Sequence, residues 1–207
     1  MIHTEMNGCR IDILPIIKGL VSEYDRVKGH ITDDYDCIAV SLSIEDIEIY
    51  GNPALKDLEY DPSDFDSVYA HFLGKFGEID VPVPAYRAVT DACKEKGLVP
   101  FPLEMCDEDF TKAYCNCVKI GDMLKEKRLL KKAMKHEFDM ASPETFVKEW
   151  DTMMSAMKGH NALALLREEH MAKEIADLTG YKRSILAVIE LERVDGVIQE
   201  LGEINAL

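Results

Sequence analysis

The clearest hydrophobic pattern in the chain lies between Ser184 and Leu201. Ile185, Leu186, Ala187, Val188 and Ile189 form an unbroken apolar run. A run of that length suits a strand buried on both faces. Glu190, Glu192 and Arg193 follow and predict a polar turn. Val194, Val197, Ile198 and Leu201 then recur at helical spacing. Strand, turn and amphipathic helix make the repeating unit of a parallel α/β sheet, in which ligands gather outside the strand C-termini.

The rest of the chain repeats the theme. Cys9 to Ile17 alternates and then becomes apolar, predicting a strand that ends near Pro15, which cannot donate to a ladder. Ile17 to Lys28 follows as a helix, with Gly29 as its stop. Asp36 to Leu42 predicts a second strand, with Ser41 and Ser43 at its C-terminal end. The segment from Ile44 to Tyr60 reads equally as a short helix capped by Ser43 or as a small strand. Ser63 or Asp64 caps a helix with Phe65, Val68 and Phe72 on its inner face. Pro84 opens another that Gly97 ends, and Leu98 to Leu103 predicts an edge strand broken by Pro100 and Pro102. Helices then dominate, at 107–136, from Pro143 to before Gly159, and at 161–178. The expected fold is one α/β domain over residues 1–207. A mostly parallel central sheet is flanked by helices, with a large helical insertion at about 107–180 before the last strand.

Charge narrows the functional classes. With 39 acidic against 24 basic residues, the formal net charge is −15. That disfavours general binding to nucleic acid or to anionic membrane, which need basic faces. No apolar stretch approaches the roughly 20 residues of a membrane span. The N-terminal stretch lacks the basic flank and long apolar core of a signal peptide, so a cytoplasmic location is expected. The six cysteines are then expected to be reduced thiols.

Candidate chemistry is sparse. In the helix at 161–178, Leu163, Leu166, Met171 and Leu178 define an inner stripe. Arg167, His170 and Glu174 fall within it, three and four residues apart. They read either as long stems reaching solvent or as a polar seam with Arg167 clamping an anion. Cys115 and Cys117 point to different helix faces, and no second cysteine pair accompanies them, so no metal site is expected. Glycine-rich phosphate loops and the GxSxG elbow are absent from the sequence. No cofactor is implied. Met153, Met154 and Met157 suit core filling or a subunit contact.

Four stretches resemble the TraB family (pheromone-shutdown and TIKI-type proteins) and, more distantly, the ChaN and erythromycin-esterase-like fold. IDILPIIKG resembles the first strand and its GxxH turn. DCIAVSLS resembles the second strand, LLREEHMAKEIADL the "ERNxxMA" helix, and ILAVIELERVDGVIQEL the last strand with its GxxHxxG turn. PAYRAVTDACKEKGLVPF is similar to the middle helix and strand. The resemblance implies an α/β fold with its site at the strand C-termini and, for TIKI-type members, metal-dependent proteolysis through the histidines and an acidic residue. This chain departs where that chemistry resides. Pro15 and Lys18 stand for the first glycine and histidine, Ser41 and Ser43 for the acidic pair, and Glu190 and Arg193 for the last glycine and histidine. Arg167, Met171 and Gly196 stay on pattern.

Lysine and arginine cannot replace metal-binding imidazoles, so loss of the metal-dependent activity is expected. Two functional readings follow. The first is a non-catalytic binding, regulatory or structural protein with no catalytic residues. A small anion would sit among Lys18, Ser41, Ser43, Arg167 and Arg193, with His170, Glu174, Glu190 and Glu192 behind them. Equally, Glu190 and Glu192 could simply neutralise those cations. The second reading is a hydrolase or peptidase with altered residues, His170 acting as base, oriented by Glu174, and Ser41 or Ser43 as nucleophile. A site rebuilt from Glu190, Glu192 and Glu45 is a further option. The methionine- and aromatic-rich helices at 107–157 predict a homodimer.

Overall fold

The computed structural model describes residues 1–52 and 62–206. In chain order these form β1 (Ile2–Met6), β2 (Cys9–Ile16), α1 (Glu23–His30), β3 (Cys37–Val40), α2 (Ile44–Gly51), α3 (Asp64–Leu73) and α4 (Pro84–Glu95). There follow β4 (Phe101–Pro102), α5 (Asp107–Cys117), α6 (Ile120–Ala133), α7 (Pro143–Met154), α8 (Lys158–Leu178), β5 (Ser184–Glu190) and α9 (Leu191–Asn205). The five strands make a mixed sheet of order β1-β2-β5-β3-β4. Only β1 and β2 pair antiparallel; the other neighbours are parallel.

The last strand in sequence is thus the middle strand in space, which explains its unbroken apolar run. Ile185, Ala187 and Ile189 face one core with Met171, Ile175 and Leu178 of α8 and Val194, Val197 and Leu201 of α9. Leu186 and Val188 face the other, with Val27 of α1 and Ala85, Ala88 and Val89 of α4. A third core, rich in aromatic rings, gathers Phe72, Phe138, Phe146 and Trp150 from α3, α7 and the segment between α6 and α7. It also includes Ile17, directly after β2, with Leu191, directly after β5, packed against it. The helical insertion thus packs beside the C-terminal end of the sheet.

The structure corrects several expectations. The hairpin strand β1 was missing from the pattern, although Asn7-Gly8 marks it. Both residues have positive φ, 52° and 74°, the combination a tight two-residue hairpin turn needs. Pro15 does not end β2. β1 pairs only as far as Ile13, so Pro15 has no partner on that side and its missing N–H costs nothing, while its other side lies opposite Ile189 of β5. The helix expected from Ile17 starts only at Glu23, because residues 17–22 are held as a loop. The helix expected over 107–136 is two: α5 stops at Cys117, and Val118-Lys119 turn the chain before α6. Gly159 of α8 packs into that break, where a Cβ would come within 2.7 Å of the Cys117 carbonyl oxygen and 3.0 Å of Val118 Cα. No polar turn separates β5 from its helix; α9 begins directly after Glu190. Residues 44–51 are helical, with Ser43 accepting from the Asp46 N–H at 3.0 Å. The remainder of that ambiguous segment, 53–60, lies outside the described residues.

Candidate functional site

β2 and β5 run parallel in a register that places Ile16 opposite Glu190. Residues just beyond these two strand ends are therefore brought together from opposite ends of the chain. Lys18 sits on the loop after β2. Gly19 allows that loop its turn, with φ of 100°. The Glu23 carboxylate accepts from the Ile17 N–H at 3.0 Å, the Gly19 carbonyl accepts from Asp80 N–H at 2.9 Å, and Val21 N–H donates to the Glu78 carbonyl at 3.0 Å. Lys18 is thus held in place from both sides.

From there the charges alternate. Lys18 Nζ lies 3.6 Å from Glu190 and 3.4 Å from Glu192. Arg167 of α8 donates to Glu104, after β4, at 2.6 Å and to Glu190 at 3.3 Å. Glu190 is the centre of this mesh, its side chain only 4% exposed. Burial alone would raise its pKa, but Lys18 and Arg167 outweigh that and hold it well below the usual range; Ser41 and Tyr86 hydroxyls favour the charged form as well. Those hydroxyls lie 3.2 Å from each other, while Glu190 Oε2 has no hydrogen-bond partner. Burial pushes Glu104 upward despite Arg167 beside it. For Lys18 burial works downward, but Glu192 and Glu190 raise it above the ordinary value.

A cavity of about 400 Å³ opens over this mesh. Lys18, Ser41, Ser43, Tyr86, Arg167 and Glu190 are among the residues that line it. A second cavity, of about 220 Å³, adjoins it through shared Arg167 and Phe110. Arg193 lines this second cavity, not the first. It is buried, donating to Glu168 of α8 at 2.5 Å and also to Asp151 of α7. Burial raises the pKa of both acids, a cost that Arg193 only partly offsets.

Of the sequence candidates, Lys18, Ser41, Ser43, Arg167 and Glu190 meet at one cavity, and Glu192 and Arg193 at its neighbour. His170 and Glu174 line neither; they face each other at 3.9 Å along α8. Leu166, placed in the inner stripe of that helix, is exposed, whereas Glu168 is buried. Glu104, Tyr86, Glu168 and Asp151 were not singled out. Only Glu104 carried a local signal, as the acid just past a strand end.

The divalent ion implied by the resemblance does not fit these residues. An ammonium already lies between Glu190 and Glu192, and a guanidinium flanks Glu190, so added positive charge would be repelled. Among the described residues, no three His, Cys, Asp or Glu side chains are grouped to hold a metal. Comparison with family models, with curated proteins and with solved structures finds no match.

Proposed function

We propose that this chain is a non-catalytic TraB-like protein, binding a small anionic ligand at the strand C-termini in a regulatory or structural role. The observation that carries the reading is the state of Lys18. Its side chain is 36% exposed, and its carboxylate contacts of 3.4 and 3.6 Å are longer than normal hydrogen bonds. It is charged yet has donors left for a ligand. Arg167 is already engaged by Glu104 and Glu190 and serves more to fix the floor. Ser41, Ser43 and Tyr86 add hydroxyls to the same cavity.

Calorimetric titration with acetate and with phosphate tests the reading. Wild type is expected to bind at least one of them, and Lys18→Met to bind at least tenfold more weakly. Equal affinities would overturn it. The hydrolase alternative has less support, since His170 lines neither cavity while Ser41 and Ser43 line the first.

We also propose a homodimer through the helices at 107–157. Ile120, Met123 and Leu124 form an exposed apolar stripe on α6, at helical spacing. Light scattering on the intact chain checks this: a monomeric mass would refute it, and Leu124→Lys is expected to dissociate the dimer. Among the described residues no helix is long and apolar enough to cross a membrane. A cytoplasmic setting fits the six unpaired cysteines.

A further inference from the structure

We infer that the free edge of β1 is a self-association surface: a second copy of this chain adds its own β1 antiparallel to it, about a two-fold axis at Thr4, and the two sheets become one. The two edges of the sheet are built differently. At one edge stands β4. Leu103, just after it, donates its N–H to the Val40 carbonyl at 2.9 Å, so by alternation the outward side of this edge falls to Pro100 and Pro102. Neither has an N–H to offer, which closes that edge to a further strand. The other edge, β1, has no such guard. Ile2–Met6 pair with β2 alone, in an unbroken register, and include no proline or lysine. Met6 and Cys9 flank the two-residue Asn7-Gly8 turn and therefore form a hydrogen-bonded pair. Counting back from them, Thr4 and Ile2 also bond β2, while the N–H and C=O groups of His3 and Glu5 point outward.

What comes face to face decides both the occupant and the register. With the axis at Thr4, His3 lies opposite Glu5 of the second copy, twice by symmetry. Within one chain His3 lies opposite Asp12 and Glu5 opposite Arg10. The row across the joined edge therefore reads carboxylate, imidazole, carboxylate, guanidinium. His3 meets Asp12 through Nδ1 at 2.6 Å, which leaves Nε2, on a ring that is 66% exposed, for the incoming Glu5. On the opposite face Ile13 and Ile2 continue into Met6 and Cys9 of the second copy, an apolar row. Thr4 meets Thr4, a favourable cross-strand pair. Moving the axis to Glu5 would set that carboxylate against its own copy, and moving it to His3 would oppose two imidazoles; either shift also shortens the overlap. The contact is separate from the apolar stripe on α6 and does not depend on the Lys18 cavity.

Disulfide cross-linking of the intact chain tests the register. Every variant also carries Cys115→Ser, which removes the exposed native thiol. At the axis Thr4 faces its own copy in a non-hydrogen-bonded pair, whose Cα separation of roughly 4.5 Å suits a disulfide. Thr4→Cys is therefore expected to give a covalent dimer on mild oxidation. Glu5→Cys sets the two thiols out of register and should cross-link at least tenfold more slowly. Equal rates, or no covalent dimer from Thr4→Cys above the level of Cys115→Ser alone, would overturn the inference. Glu5→Pro supplies a second arm, since it removes an outward N–H without breaking a bond between β1 and β2. It should weaken self-association at least tenfold in sedimentation, compared with the same chain without it, both carrying Leu124→Lys so that the α6 contact is silent. Equal association in that pair, or monomers in both, would overturn the inference as well.

Discussion

Lys18 and Arg193 both stand where the resemblance would place a histidine, and their surroundings have little else in common. Arg193 has a side chain only 8% exposed, held between Glu168 and Asp151. Gly196 is one turn further along α9, and a Cβ there would overlap the Glu168 carboxylate, so glycine is what lets that acid reach Arg193. Lys18 is 36% exposed, touches its two acids at 3.4 and 3.6 Å, and borders a cavity. The same kind of side chain, a cation just past a strand end, makes a packed joint between α7, α8 and α9 in one case. In the other it leaves a charge that can still meet a ligand. Packing around the cation, more than its charge, separates the two roles.

The largest test of this contrast is Arg193→Met. It strands the buried Glu168 and the half-buried Asp151 and should cost about 3–5 kcal/mol of stability in urea unfolding. Much of that loss should return when Glu168→Leu and Asp151→Leu are added. Gly196→Ala comes next, at about 1–3 kcal/mol, since the new methyl must displace a carboxylate that Arg193 holds. Lys18→Met should change stability by no more than about 1 kcal/mol, because the pair is partly exposed and Arg167 still serves Glu190. Its effect belongs to ligand affinity. Should Lys18→Met destabilise as much as Arg193→Met, the distinction between joint and site fails.

The smallest effect concerns pH. Glu190 has a lowered pKa when folded, so its stabilising contribution is present above the ordinary glutamate value near ~4.3 and fades as pH falls toward the folded value. Glu168 and Asp151 are raised, so their ionisation opposes folding at neutral pH, and that cost is relieved as pH falls through their folded pKa values. Carbon-13 NMR of the side-chain carboxyls should therefore show Glu168 and Asp151 protonating at higher pH than Glu190. The reverse order would contradict the contrast.

The pattern of the chain made much of this architecture legible. A strand buried on both faces must be apolar throughout, so β5 announced itself, and α9 followed from its periodicity. β1 was missed because an edge strand buries little: His3, Thr4 and Glu5 are exposed, leaving the Asn7-Gly8 turn as its main signal. The break between α5 and α6 depends on Gly159, some forty residues away, and no local pattern reveals it. The site divides likewise. Lys18 and Glu190 follow strand ends and could be placed from sequence. Arg193 seeking Glu168 and Asp151 is a matter of helix packing. Spacing along α8 rightly paired His170 with Glu174, but on a face away from both cavities.

The position of β5 has a consequence for synthesis. β1–β2 and β3–β4 touch each other in the finished sheet only through β5, which the ribosome makes last of the five strands. Until residues 184–190 emerge, the earlier strands are two unjoined halves. Glu190, the acid that Lys18 and Arg167 both face, arrives at the end of that same strand. Closing the sheet and completing the charge mesh are thus one event, so a nascent chain halted before β5 has neither a continuous sheet nor the carboxylate that Lys18 and Arg167 share.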